Sequence, residues 1–303
     1  MVLFLIPRLN SEGTRTGSLM KLSYTTEDIE KWRRRIHGRQ PRLRLHSKEQ
    51  VLQFVNEVGY CFAFKSHTSE LPSLWDAALK NRHNGQKGEG YRAASESLIR
   101  EIKSDLLSER KIYFGRVLQR RPTLISLDYL PCFYALQGGE GNEDDYIKEF
   151  MQGKLSSDAK TIMDLLVHSS PRITAELKQA LGNHREVDNK RFERAILELQ
   201  SKLFVTQAGE RYSRTALSWA SVYGTFPASV RKARRVSPDR AREKILGKFF
   251  ENQLIASVED IHRVFAWNKQ SIYQALGGLV QSGVITSNVK VDGKDSKYYC
   301  LVH

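Results

Sequence analysis

Cysteine is scarce in this chain, with three in 303 residues. Cys61, Cys132 and Cys300 lie far apart, each in an apolar context, so neither a disulfide framework nor a zinc-ligand spacing is present. No apolar run reaches the roughly 20 residues that a membrane-spanning helix needs. Met1–Pro7 is too short for a signal-peptide core and has no basic region before it. The eight histidines show no HExxH spacing. Gly85–Gly90 lacks both the Gly-Lys-Ser/Thr ending and the preceding strand of a phosphate-binding loop, and no serine nucleophile elbow is found. The expectation is a cytoplasmic protein that uses neither a cofactor nor a metal. Residues 1–24 read as a disordered extension, with Met20 an alternative start to Met1, because Pro7–Ser18 is polar and unpatterned.

Acidic residues are missing where the basic ones concentrate. Between Lys31 and Lys48 lie Arg33, Arg34, Arg35, Arg39, Arg42 and Arg44 with no acid among them. Between Arg231 and Lys244 lie Lys232, Arg234, Arg235, Arg240 and Arg242, against only Asp239 and Glu243. These two segments carry almost the whole net charge of +14. A solvated helix face normally mixes signs, as Ser95–Arg110 does, so this concentration points to an anionic partner. Arginine outnumbers lysine in both, which suits bidentate phosphate contacts. A membrane surface fits less well, because neither segment has a bulky apolar face to insert. Trp32, amid the first arginines, reads as a core anchor for a helix over Thr26–Ile36.

The clearest pattern lies from Asp239 to His303. A helix over about Arg240–Gln253 follows Pro238, a natural boundary. Ser257 caps a short helix over Val258–Ala266, with Glu259 and Asp260 in its first turn. Lys269–Gln281 repeats Ile272, Ala275, Leu276, Leu279 and Val280 at helical spacing, and Gly283 stops it. Val284–Val291 alternates as a strand, Asp292-Gly293 turns the chain, and Lys297–Val302 returns. This is the plan of a winged helix, whose last helix enters the DNA major groove. The order recurs from Ser156 to Tyr212: a helix over Ser157–Val167, a short one from Thr174 to Leu181-Gly182, a third over Asp188–Lys202, then a strand over Leu203–Gln207. Both copies admit the plainer reading of helical packing modules without a ligand.

From Ser47 to Leu136 the pattern is different. Ser47 to Gln50 forms a capping box that opens a helix ending at Gly59. Tyr60–Phe64 is a buried strand, another helix starts at Pro72 or Ser73, and Tyr91–Arg110 is a long amphipathic helix. Leu127–Leu136 reads as core and Gly138–Asp145 as a Gly- and acid-rich loop. The expected fold class is mainly α with small β wings (α+β), built on tandem winged helices. Its expected domains are a helical one over 25–150 with short strands (or a degenerate winged helix), a winged helix over 151–230, a basic linker over 231–238 and a second winged helix over 239–303.

The ordered segments EVGYCFAF, LPSLWDAAL, KIYFGRVLQRRPTLISLDYLPCFYAL and VFAWNKQSIYQAL, from about Leu45 to Leu301, resemble the AlkZ/YcaQ-related winged-helix DNA glycosylase-like family. The likeness is greatest to its AlkZ-related DNA-binding members. What the resemblance implies is a DNA-repair protein. Active glycosylases of the family carry a Gln-apolar-Gln or Gln-apolar-Asp tripeptide on the strand after an early helix and glycine, and its polar pair positions water against the sugar. In this chain those positions fall on Phe62 and Phe64, whose rings cannot do so. Replacements would be Glu57, Glu70, Asp76 or Asp128 beside an aromatic platform of Tyr113, Tyr129 or Tyr134. Glu57 and Asp76 are expected on solvent-facing helix positions.

The leading reading is therefore a monomeric binder of double-stranded DNA, intact or damaged, on the nucleoid. A divergent glycosylase of alkylated or crosslinked DNA stands second, and a winged-helix transcription regulator third. Base-reading candidates are Asn189, Lys190 and Arg194 in the first copy, and Asn268, Lys269, Gln270 and Tyr273 in the second. Phosphate contacts fall to Arg33, Arg34, Arg35, Arg39, Arg42, Arg44, Arg231, Lys232, Arg234, Arg235 and Arg240, with Lys290, Lys294 and Lys297 on the wing.

Overall fold

One order of elements recurs three times along the chain: helix, strand, helix, helix, strand, strand. The computed structural model describes residues 23–38, 45, 47–64, 71–78, 100–101, 103–182, 188–209 and 216–302. Strand β1 (Ser23–Tyr24) and helix α1 (Thr26–Ile36) come first. The first unit holds α2 (Lys48–Val58), β2 (Tyr60–Phe62), α3 (Leu74–Ala78), a helix described over 103–108, β3 (Ile112–Gly115) and β4 (Thr123–Ser126). Helices α4 (Leu130–Ala135) and α5 (Asp145–Met151) lead to the second unit. That unit is α6 (Ser157–His168), β5 (Arg172–Ile173), α7 (Thr174–Gly182), α8 (Asn189–Ser201), β6 (Val205–Ala208) and β7 (Ser218–Ser221). After α9 (Val222–Thr225) and α10 (Pro227–Ala233), the third unit is α11 (Pro238–Gln253), β8 (Ile255–Ser257), α12 (Val258–Phe265), α13 (Lys269–Gln281), β9 (Ile285–Val291) and β10 (Lys294–Leu301). The fold is mainly α with small sheets. In every unit the last strand lies in the middle of an antiparallel sheet, in the orders β2–β4–β3, β5–β7–β6 and β8–β10–β9.

Local hydrogen bonds set the helix starts. Ser47 accepts from Gln50 N while the Gln50 side chain accepts from Ser47 N, a reciprocal box that satisfies two amides the helix cannot. Ser257 and Asp260 do the same for α12, and Thr25 and Asp28 for α1. Pro238 sits at the start of α11, where its missing N–H costs nothing. Gly59 closes α2 at φ 77, and a Cβ there would meet the Tyr129 ring at 2.9 Å.

Several expectations change. The N-terminal half, expected as a helical domain with short strands or a degenerate winged helix, follows the same order of described elements as the other two units. Ser23 and Tyr24, assigned to the disordered extension, pair in parallel with Lys290 and Val291 of β9. Residues 1–22, and half of the helix expected over Tyr91–Arg110, lie outside the described residues. Helix α1 packs on the third unit rather than on 47–126: Trp32 Nε1 donates to Glu251 O at 3.0 Å, and His37 Nε2 lies 3.2 Å from Asn252 O. Trp32 is thus the anchor the sequence suggested. The segment read as a basic linker is the last turn of α10 and a short connection to α11.

Two fully buried tyrosines of the first sheet join the units. Tyr60 donates its hydroxyl to Ile245 O at 2.8 Å, and its ring meets Tyr129, Phe133 and Phe265 edge-on. Tyr113 hydrogen-bonds Val205 O at 3.2 Å and Gln200 O at 3.3 Å in the second unit. Beside it Thr206 Oγ1 donates to Phe114 O at 3.0 Å, bridging the facing sheet edges. Asn252 Nδ2 donates to Val58 O at 2.9 Å on the other side. The result is one continuous apolar core running from Tyr60 and Leu130 to Phe249 and Leu276.

Replacing Tyr60 with Phe is expected to cost about 1 kcal/mol, the net worth of one buried hydrogen bond. Tyr60→Ala should cost roughly 3–5 kcal/mol through the cavity it leaves. Urea unfolding followed by circular dichroism measures both, and a cost for the alanine variant below that of the phenylalanine variant would contradict the packing described. Burial pushes the Cys61 thiol up to about 12 and raises those of Cys132 and Cys300 as well. Since the thiolate is the nucleophile, none of the three should react with a disulfide reagent at pH 8 until the protein is unfolded. A thiol that reacts promptly in the native state would refute this.

Candidate nucleic-acid interface

Helix α13 is the last helix of the third unit, and Asn268 caps it. Its side-chain oxygen accepts from Ser271 N at 2.8 Å, so the carbonyl expected to read a base is committed to the helix. Lys269 is exposed and lies 3.6 Å from Glu259. Gln270, Tyr273, Gln274 and Gly277 recur at helical spacing along one exposed face. Tyr273 is 55% exposed, and nothing stands within 4 Å of where a Gly277 side chain would begin. This face is flat, polar and close to neutral.

Helix α8 is the counterpart in the second unit. Asp188 caps it, accepting from Lys190 N at 3.1 Å. Asn189 Oδ1 takes a hydrogen bond from Lys178 Nζ, so it too is engaged. Lys190 and Arg194 are exposed, and Arg194 Nε donates to Lys190 O at 3.3 Å. Arg191 grips Asp158 through two bonds of 2.5 and 2.7 Å, and these hold the carboxyl below its ordinary range.

The basic segments divide into paired and unpaired cations. Arg34 and Arg35 of α1 are exposed, and the Arg35 guanidinium sits 4.4 Å from the Trp32 ring centre. Arg33 is half-buried and 3.5 Å from Glu30. Arg39, Arg42 and Arg44 lie outside the described residues. In the second segment Arg231, Lys232 and Arg235 are exposed. Arg234 instead donates twice to Gly141 O, at 2.8 and 3.2 Å, and so braces the Gly-rich loop. That loop is further organised by buried Asp145, which accepts from the amides of Glu140, Gly141 and Asn142 and from the Tyr134 hydroxyl. Arg240 pairs with Glu243 and Arg242 with Asp239. On the β9–β10 hairpin Lys290, Lys294 and Lys297 are all exposed, with Lys294 Nζ 5.9 Å from the Tyr298 ring centre. Pairing of β1 with β9 brings the α1 arginines to the same unit as these lysines, across more than 250 residues of sequence.

Phe62 and Phe64, the positions to which the resemblance assigns the polar pair of the tripeptide, lie in and just after β2. Phe62 is 1% exposed, its amide donates to Pro72 O at 2.9 Å, and the Arg121 guanidinium lies 4.7 Å from its ring centre. The strand ends there, and Phe64 packs half-buried against the core beside α2. Glu57 does not face solvent as expected. It is half-buried and takes a 2.8 Å bond from Gln53 Nε2; burial raises its pKa, opposed by Gln53 and Lys248. Asp76 is also half-buried, Asp128 is exposed, and Glu70 lies outside the described residues. Tyr113 and Tyr134 are buried with their hydroxyls engaged, so they form no platform for a base. Tyr129 is half-exposed, with Lys244 and Lys248 at 5.1 and 5.9 Å from its ring centre. Among the described residues, no three His, Cys, Asp or Glu side chains gather as metal ligands would. No described helix is long and apolar enough to cross a membrane.

Lys244, Lys248, Arg116 and Arg120 escaped notice as candidates. The last two had a legible signal: a turn with three arginines and no acid between two short apolar strands.

Among solved structures the chain is similar to the DNA glycosylase AlkZ of Streptomyces sahachiroi, with a TM-score of 0.56 and 14% identity. The likeness covers 92% of this chain and 70% of that one, and at this identity it speaks to the fold. No curated protein matches the chain in sequence. Residues 45–266 match the family described as AlkZ related, and since this is well over half of the chain, the protein belongs to the AlkZ-related family.

Proposed function

We propose that this protein is a DNA-repair-type binder of duplex DNA that carries no base-excision motif on its β2 strand. Each of its three units is read as a winged helix, the strand order and the two-stranded extension after the third helix supporting that reading. The observation that carries the proposal is the meeting of two unneutralised basic elements on the third unit. Arg34 and Arg35 of α1 and Lys290, Lys294 and Lys297 of the hairpin flank the same sheet, and among the described residues none of them forms an ion pair. Cations without carboxylate partners are balanced by counterions, which a polyphosphate releases on binding. Near them α13 offers Gln270 for base edges and the Tyr273 ring for sugar or base contact. The named relative is a DNA glycosylase, which supports DNA as the partner class.

Glu57 favours a second reading, a divergent glycosylase. It is a half-buried carboxyl of raised proton affinity, three residues before the β2 strand and within electrostatic reach of Lys248. Excision requires a group that holds water or stabilises the sugar cation, and Glu57 is a candidate for it among the described residues.

Duplex affinity, measured by fluorescence anisotropy, should fall by about 0.9 log unit per log unit of salt for each phosphate neutralised. Replacing Arg34, Arg35, Lys290 and Lys297 with Ala together should flatten that slope by roughly 2–4, while a wild-type slope near zero would end the proposal. On alkylated or crosslinked duplexes the wild-type protein should leave no alkali-labile site. Scission that disappears in Glu57→Gln would replace the first reading by the second.

A further inference from the structure

The β3–β4 hairpin of the first unit ends in a turn whose conformation suits its sequence poorly. Arg121 N donates to Leu118 O at 2.9 Å, closing a four-residue turn around Gln119 and Arg120. Both central residues have positive φ, 52° and 54°. This is the sign pattern of a type I′ turn, normally filled by Asn-Gly, Asp-Gly or Gly-Gly because a Cβ is strained there. The rest of the loop is firmly held. Thr123 Oγ1 accepts from Leu118 N and donates to Arg121 O, Leu118 is buried in the central core, and Arg121 lies over Phe62. Strain of this kind persists where the side chains have a use that glycine would lose.

The use of Gln119 is visible. Its Nε2 donates to Arg263 O at 3.1 Å, fastening the tip of the first unit's hairpin to α12 of the third. Arg263 stands two residues before Phe265, whose ring stacks on Trp267 at 4.6 Å. Trp267 precedes Asn268, the cap of α13. The tip is therefore fastened to a residue five positions before Asn268, the cap at the end of α13 that a groove-reading helix presents. Arg116 and Arg120 are exposed, and among the described residues neither is paired with a carboxylate. Most arginines with an acid nearby are neutralised, as Arg191, Arg240 and Arg242 are.

We propose that the β3–β4 hairpin is a phosphate-binding finger, in which Gln119 fixes the turn on the third unit and Arg116 and Arg120 contact the DNA backbone beside the segment that α13 reads. This rests on the duplex-binding reading above. The reading unit is then composite, and the first unit contributes to DNA contact through its hairpin.

The test uses the full-length protein and an intact 20-base-pair duplex. Arg116→Ala with Arg120→Ala should weaken binding about tenfold at moderate salt and flatten the salt slope by roughly 1–2, leaving the thermal midpoint unchanged. Arg120→Gly should raise the midpoint by roughly 2 °C as strain is relieved, yet weaken binding, a combination that a merely structural turn would not give. Arg120→Lys should restore most of the affinity. In a parallel arm Arg120→Cys, labelled with a photoactivatable thiol reagent while the three native thiols stay buried, should crosslink to the duplex. Wild-type binding with no change in the double alanine variant and no crosslink overturns the finger alone. Absence of salt-dependent binding in the wild type overturns both this inference and the reading beneath it.

Discussion

A buried tyrosine hydroxyl is the constraint on which the arrangement depends. Tyr60 must donate a hydrogen bond, because an unmade one in an apolar interior costs more than a made one contributes. It does so across the unit boundary, to Ile245 O. Three aromatic rings set edge-on around it fix the ring, so the β2 strand and α11 take one relative position. Tyr113 repeats the device toward the second unit. The first unit thereby serves as the hub that orients the other two. Its hairpin reaches α12 only because Tyr60 holds the sheet close to Phe265.

Around this frame charge is sorted by partner. Surface ion pairs contribute little to stability, with a median near 0–1 kcal/mol, yet they decide which cations remain available. Arg191, Arg240, Arg242 and Lys269 have carboxylates within 4 Å. Arg234 is spent on a backbone carbonyl. Among the described residues without an ion pair are cations on α1, on the β9–β10 hairpin and on the β3–β4 tip, together with Lys190 and Arg194 of α8 and Arg231, Lys232 and Arg235. Net charge alone would steer any polyanion. The exposed face of α13, with Gln270, Tyr273 and Gln274, carries no charged side chain.

Features set by neighbours in sequence were legible, and those set by distant segments were not. Capping boxes at Ser47 and Ser257, the cap at Asp188 and the stops at Gly59 and Gly283 are local hydrogen bonds or local backbone freedom, and the helix limits follow them closely. Two-residue strands such as β1 and β5 carry no periodicity, so the pairing of Ser23 with Lys290 could not be read. In the candidate site the arginine clusters were visible, but not which arginines would be neutralised. Asn268 was open to a better reading: Asn before a periodic helix is a cap signal. The electrostatic influence of Lys248 on Glu57 comes from nearly 200 residues away, and no local pattern announces it.

The central claim is that duplex DNA lies across the third unit with the first unit's hairpin beside it. Amide hydrogen exchange of the full-length protein, with and without a 20-base-pair duplex, tests this most directly. The account predicts slowed exchange in α1, in the first turns of α13, along residues 285–301 and at residues 116–121, with little change in the buried strands β2 and β4. Protection confined to the second unit, or none anywhere at saturating duplex, would contradict it.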